Sequence, residues 1–388
     1  MFETEKRKGI PMRGLMYLAA GVVIGAVGMM IVTLMSNAGE RPDTEATSLP
    51  VIPTPAMVMD GTASAQTVLD FPVDPAVIKA FAVSEPLKQV AFNYWNGSNT
   101  VLEIRPWANG HIGKTPITKL TEFEYQKLSF NAVQPSIAAS AIQKVSLFDL
   151  KTNKLVKNFS GGEGVYSPDG QWFTTSQSDH TIELYRNSLD TVYGTLDVQV
   201  FPYDITFSAD STMLASVSVS RTRPNEMYVE IFALSNSERI GFYTLNGTVS
   251  SSIVFSPDNT HIAVASSESV HVLSIKDGDQ RYFDTPDTTI TRVAFDATGA
   301  WLAASGGVSA SGEKSGIYVY PLAEPKAIPT SASSVQFLET PLNDVKDIQF
   351  VEAGLLVLDS TSTLTLYRWN GEMWGNPVVV LTADDLME

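Results

Sequence analysis

The sequence contains no cysteine. That excludes disulfides, thiolate metal sites, iron–sulfur clusters and cysteine nucleophiles together. Only four histidines are present: His111, His180, His261 and His271. No two of them have the spacing of an H-E-x-x-H metal pair. His261 and His271 fall on consecutive expected strands and His180 in an expected turn, where structural hydrogen bonding is the expected use. There is no G-x-S-x-G nucleophile elbow and no G-x-x-x-x-G-K-S/T phosphate loop. The glycine-rich "SGGEG" at 160–164 enters a strand, so no helix N-terminus follows it to hold phosphate. No catalytic residue, metal ligand or cofactor is assigned on these grounds.

Positive charge is also scarce. There are 26 basic against 42 acidic residues, a formal net charge of −16. Such a chain repels nucleic acid phosphates, so no nucleic acid partner is expected. Charged residues reach only 18% while hydrophobic residues make up 44%, the reverse of a disordered chain.

Against these absences stands one long uncharged run, "GLMYLAAGVVIGAVGMMIVTLM", from Gly14 to Met35. Its 22 residues, as a helix, span roughly 33 Å, enough to cross the hydrocarbon core. Lys6, Arg7, Lys8 and Arg13, against Glu3 and Glu5, precede it; Glu40, Arg41, Asp43 and Glu45 follow. The basic flank stays in the cytoplasm. The expectation is a cytoplasmic segment at 1–13, a transmembrane helix at 14–36, and everything after it outside the cytoplasm. "SNA" at 36–38 has the form of a signal-peptide cleavage site. The apolar run exceeds the usual h-region, which favours a retained anchor. Gly21, Gly25 and Gly28 place small residues on one helix face, where a partner's membrane helix would pack.

Residues 37–66 carry Pro42, Pro50, Pro53 and Pro55 among Thr, Ser, Ala and Gly. This composition predicts an extended spacer, not a domain.

From 67 to 388 one pattern recurs seven times: an aromatic ends a short strand, a turn follows, then an apolar strand. The aromatics are Phe81, Phe130, Tyr166, Phe207, Phe255, Phe295 and Phe350, spaced 49, 36, 41, 48, 40 and 55 residues apart. Each unit continues with an alternating third strand, such as "KVSLFDL" at 144–150 or "TIELYRN" at 181–187. Most add a fourth, such as "KLVKNF" at 154–159. The period of two and the β-branched and aromatic enrichment require strands. Four strands per unit and a period near 40 describe an all-β, seven-bladed β-propeller. Two segments compete to close the ring: "TVLDFPV" at 67–73 beside the last blade, or "PVVVLT" at 377–382 as that blade's own outer strand.

The units "YSPDGQW", "FSPDN", "FSADS" and "FDATG" resemble blades of the WD-repeat and TolB-like propeller superfamily, and "SQSDHTIELYRN" is the nearest to a WD-repeat blade. The Trp-Asp dipeptide of regular WD repeats is missing. The resemblance covers 67–388 and is to the membrane-anchored bacterial type. In such propellers the loops between second and third strands share a face with the blade-to-blade connections. Two of those loops are long: 219–227, carrying Arg221 and Arg223, and 307–316, carrying Glu313 and Lys314. The first blade adds Tyr94 and Trp95. Long loops on a rigid scaffold carry function, and Tyr, Trp and Arg dominate interface hot spots. These six residues form the expected interaction face. Trp172, Trp301, Trp369 and Trp374 fall on or beside strands and are expected to pack.

The expected role is a non-catalytic scaffold or accessory subunit of a membrane or envelope complex, with other membrane or envelope proteins as partners. The alternative is a hydrolase or a small-ligand or sugar receptor using the central funnel. The two readings differ in structure. A funnel site needs converging titratable side chains with shifted pKa values. A scaffold needs an exposed apolar and aromatic patch.

Overall fold

A computed structural model describes residues 76–387, except 123, 179, 187, 224, 248–251, 268, 286–288, 307–315, 323–334 and 341–343. The expected helix at 14–36, with Gly21, Gly25 and Gly28, the spacer at 37–66 and the strand at 67–73 all lie outside the described residues. Among the described residues no helix is long and apolar enough to cross a membrane.

The described residues form seven antiparallel sheets, each made from one contiguous stretch of chain. Six sheets have four strands; the first adds a two-residue strand, His111–Ile112. The innermost strands of blades 1 to 7 are Val77–Ser84, Lys127–Phe130, Gly164–Tyr166, Asp204–Phe207, Ile253–Phe255, Ile290–Phe295 and Val345–Val351. Neighbouring inner strands touch all the way round, and the seventh touches the first, so they encircle one axis.

In blades 3, 4 and 5 the turn after the inner strand explains the recurring Ser-x-Asp. In blade 3, Ser167 Oγ donates to Asp169 Oδ1 at 2.5 Å, and Asp169 accepts from the Gln171 amide at 3.0 Å. Ser208 with Asp210 and Ser256 with Asp258 repeat the arrangement. Side-chain oxygens thus satisfy turn amides that no strand can reach. The next position is left-handed: Gly170 has φ 67°, and Ser211 and Asn259 have 58° and 59°. At Gly170 a Cβ would lie 2.4 Å from Asn131 Oδ1, so the site also has no room for one. Turns of adjacent blades are tied in series. Asn131 Nδ2 donates to Gly170 O, the Asp169 amide to Ser211 Oγ, and the Ala209 amide to Asn259 Oδ1.

Register corrects one assignment. Phe130, Tyr166, Phe207, Phe255 and Phe295 each pair with the residue seven positions later. In blade 1 the residue that does so is Val83, paired with Val90. Phe81 lies two positions deeper in the strand. The aromatic repeat was therefore broken in blade 1, where a longer inner strand put a valine at the turn.

Apolar side chains fill the spaces between neighbouring blades. Each fully buried Leu, Ile, Val or Phe contributes about 1.5–3 kcal/mol. The expected packing tryptophans belong to this layer. Trp301 and Trp374 are buried, and the Trp369 ring packs 4.7 Å from Trp301 at a tilt of 48°. Trp172 is also buried.

The outer strand of blade 7 is Trp374–Leu381, so "PVVVLT" does supply it. Side chains then join blade 7 to blade 1. Gln349 bonds both backbone groups of Val83, and Ser362 Oγ accepts from the Ile78 amide at 2.8 Å. A 3-10 turn at Asp384–Leu386 returns to blade 1, where Leu386 is buried in a cluster with Phe92 and Tyr94. Arg105 Nη2 donates to Asp385 O at 2.7 Å, and the Tyr94 hydroxyl oxygen lies 3.2 Å from Leu386 O.

Candidate functional site at the axial mouth

Counting three positions back from Val83 in blade 1 and from the repeat aromatics of blades 2 to 7 gives Ala80, Lys127, Glu163, Asp204, Ser252, Arg292 and Asp347. Lys127 and Asp204 begin their inner strands, Glu163 and Ser252 immediately precede theirs, and Ala80, Arg292 and Asp347 lie two or three residues inside. The innermost strand of a blade is packed on both faces, so apolar residues are the ordinary choice there. Five of these seven are charged, and the ring brings them to one mouth.

Lys127 Nζ lies 2.6 Å from Glu163 Oε2 and forms a second ion pair with Asp204 Oδ1. It also reaches Ile205 O at 3.5 Å. One lysine thus links blade 2 to blades 3 and 4. Asp204 continues the chain: its Oδ2 accepts from the Ile253 amide of blade 5 at 2.9 Å. Blades 6 and 7 are joined by Arg292 Nε and Asp347 Oδ1 at 3.2 Å. Asp347 Oδ1 also accepts from the Ile348 amide at 3.0 Å.

The titrations of these groups are displaced. Burial pushes the Glu163 carboxyl up to about 7; Lys127 opposes this and the charge of Asp204 adds to it. Burial works against the Lys127 ammonium, but Asp204 and Glu163 outweigh it and hold the group above the ordinary lysine range. Burial raises Asp347 over the opposing pull of Arg292, and the charge of Lys127 also reaches it. These side chains keep a fifth to a third of their surface open, Asp204 less, as expected of groups lining a narrow aqueous mouth.

This mouth is on the face where the strands start, the same face as the loops between second and third strands. The residues expected to form the interaction face do not build it. Tyr94, expected on that face, is not there. Tyr94 lies within the second strand of blade 1, fully buried, its hydroxyl donating to Glu103 Oε2 at 2.7 Å. The alternation of the strand turns it inward and leaves Trp95 exposed at its end. Strands Met213–Val219 and Glu226–Ala233 take up both ends of the expected 219–227 loop. Arg221 and Arg223 are exposed in the short turn between them, and Arg223 pairs with Glu226 at 3.2 Å. Glu313 and Lys314 lie outside the described residues.

The histidines stay apart. His261 Nδ1 bonds Thr260 Oγ1 at 2.7 Å and His271 Nε2 bonds Ser269 Oγ at 3.1 Å. Among the described residues no three His, Asp or Glu side chains group as metal ligands. The mouth cluster was missed in the sequence because no two of its members are adjacent. The available signal was the run of charges three residues before the repeat aromatics.

No protein-family model matches the chain. No curated protein matches it either. Among solved structures, a chain of hydrazine synthase from Kuenenia stuttgartiensis is similar, with a TM-score of 0.63 and 11% sequence identity. The match covers 79% of this chain and 100% of that one. At that identity the likeness shows the propeller fold alone, a fold that hosts unrelated functions.

Proposed function

We propose that this chain is a non-catalytic, membrane-anchored protein that holds its propeller outside the cytoplasm as an interaction module of a membrane or envelope complex. The uncharged run at 14–35 and its basic flank support the anchor and its orientation. The Ser-x-Asp turns support placing the propeller with the WD-repeat and TolB-like superfamily.

The observation that carries the interaction role lies on the rim. The outer strand of blade 4, Glu238–Asn246, pairs on one side only. It exposes Ile240 at 52% and Phe242 at 44%. Leu155 and Val156 on blade 2, Tyr282 on blade 5, and Val378 and Val379 on blade 7 are similarly exposed on outer strands. An edge with open backbone groups and apolar side chains is what a partner strand uses. The experiment is mild-detergent extraction, size separation and identification of co-migrating proteins, with wild type and Ile240→Lys/Phe242→Asp. A defined assembly that the double variant loses supports the role. A wild-type chain that runs alone removes it.

A second reading, a small-ligand receptor at the axis, is favoured by the convergence of Lys127, Glu163, Asp204, Arg292 and Asp347 with displaced titrations. Its test is a thermal-shift panel of anionic, cationic and neutral solutes on wild type and Glu163→Gln. A solute that stabilises the wild type, with a response altered in Glu163→Gln, supports it; no response to any solute ends it.

A further inference from the structure

Three consecutive blades around the ring, 6, 7 and 1, carry an irregularity at one position. Pairing of their inner strands shifts register between Ile290 and Arg292, between Val345 and Asp347, and between Ile78 and Ala80. The inserted residues are Thr291, Lys346 and Lys79, four positions before Phe295, Phe350 and Val83 respectively. A bulge re-aims the side chain it inserts, and bulges gather beside functional sites. Their effect here is a cationic arc. Arg292, Lys346, Lys79 and Lys127 place one cation on each of blades 6, 7, 1 and 2, in a chain whose net charge is −16. The carboxylates of blades 3 and 4 lie beyond that arc.

The four cations are not equally satisfied. Lys127 holds Glu163 and Asp204, and Arg292 holds Asp347. Lys79 pairs with Glu124 at 3.3 Å. Lys346 has a carbonyl instead: its Nζ donates to Ile78 O at 3.3 Å. Among the described residues no carboxylate lies within ion-pair distance of it. An ammonium has three donors, so one bond leaves two to place. Burial, and then the charge of Lys79, push Lys346 below the ordinary lysine range, over the weaker pull of Asp359. A part-buried ammonium beside a like charge is relieved by an arriving anion, which cancels the repulsion and accepts charge-assisted bonds.

We infer that the axial mouth binds a small oxyanion, a phosphate- or carboxylate-bearing solute, held by Lys346 and Lys79 and flanked by Arg292. The inference rests on the receptor reading above and names its ligand class. Asp347, next in sequence to Lys346, disfavours a large polyanion at the same place, since its carboxylate would face the added charge.

The test is calorimetric titration of the full chain, in detergent, with inorganic phosphate, succinate and a neutral sugar. Phosphate or succinate is expected to bind saturably and the sugar not at all. Lys346→Met should weaken anion binding about tenfold or more, the size of a lost bond to a charged group. Lys346→Arg should retain most of it, and Lys276→Met, an exposed turn residue on blade 5, should leave it unchanged. Lys79→Met serves if Lys346→Met fails to fold, and the same weakening is expected. The relative affinities of phosphate and succinate identify the preferred headgroup. Absence of binding by both anions, or anion binding unchanged in a folded Lys346→Met, overturns the inference. If the anions fail while a neutral or cationic solute binds and Glu163→Gln alters that binding, the receptor reading stands without the anion site. If nothing binds, both fall.

Discussion

Gln349 closes the ring on Val83: its Oε1 accepts from the Val83 amide at 3.0 Å and its Nε2 donates to the Val83 carbonyl at 3.1 Å. The two residues are 266 positions apart, on the last and first inner strands. A carboxamide is the side chain that offers one donor and one acceptor in this geometry. No strand is exchanged between the blades it joins among the described residues.

Gln349→Leu should therefore lower unfolding free energy by about 1–3 kcal/mol, the cost of leaving part-buried backbone groups without partners. Gln349→Glu should fall in the same range, since it keeps the acceptor and loses the donor. Urea unfolding followed by tryptophan fluorescence measures both. Equal midpoints for wild type and Gln349→Leu would contradict the clasp.

Glu163 predicts a pH dependence. Its folded pKa, about 7, is raised above the ordinary 4.5. Between those values the folded state binds the proton more tightly than the unfolded state. The contribution of Glu163 to stability is thus present at low pH and is lost as pH rises through about 7. Glu163→Gln should flatten this part of the profile. The measurement is thermal unfolding of both proteins from pH 4.5 to 8, and parallel profiles would count against the shift.

Removing Lys127 leaves Glu163 and Asp204 facing each other without their shared cation. Lys127→Met should cost about 3 kcal/mol, as for breaking a desolvated ion pair from one side. The double variant Lys127→Met/Glu163→Gln should recover part of that loss, because the remaining carboxylate no longer meets a like charge. Denaturant titration of the single and double variants gives the coupling. A double variant no more stable than Lys127→Met would rule out the repulsion.

Tyr94 separates packing from recognition. Its hydroxyl donates to Glu103 and lies beside the Leu386 carbonyl, both inside the domain. Tyr94→Phe should lower stability by about 1–2 kcal/mol. It should leave the profile of co-migrating proteins unchanged, because the ring is fully buried. Loss of partners from a folded Tyr94→Phe would return the residue to the interaction surface.

The strands were legible in the sequence because their causes are local. Alternation of side chains sets each strand's faces, and in blades 3, 4 and 5 Ser-x-Asp followed by a left-handed residue sets the turn. The third strand of blade 3, expected at 181–187, is Thr181–Arg186, and the outer strand of blade 2, expected at 154–159, is Lys154–Ser160. Blade 1 escaped the pattern because Val83 occupies the place an aromatic holds elsewhere.

By itself, then, the sequence determined the number of blades, the position of nearly every strand and the turn chemistry, all of which depend on residues a few positions apart. Only the tertiary structure decided which side chains meet. Lys127, Glu163, Asp204, Arg292 and Asp347 converge because seven twisted sheets close around one axis, and ring closure sets Lys346 of blade 7 beside Lys79 of blade 1. It also turned Tyr94 into the core and gave closure to Gln349 and the C-terminal turn. The physical reason is separation: ion pairs and clasps act across space between residues dozens to hundreds of positions apart, and no local propensity records them.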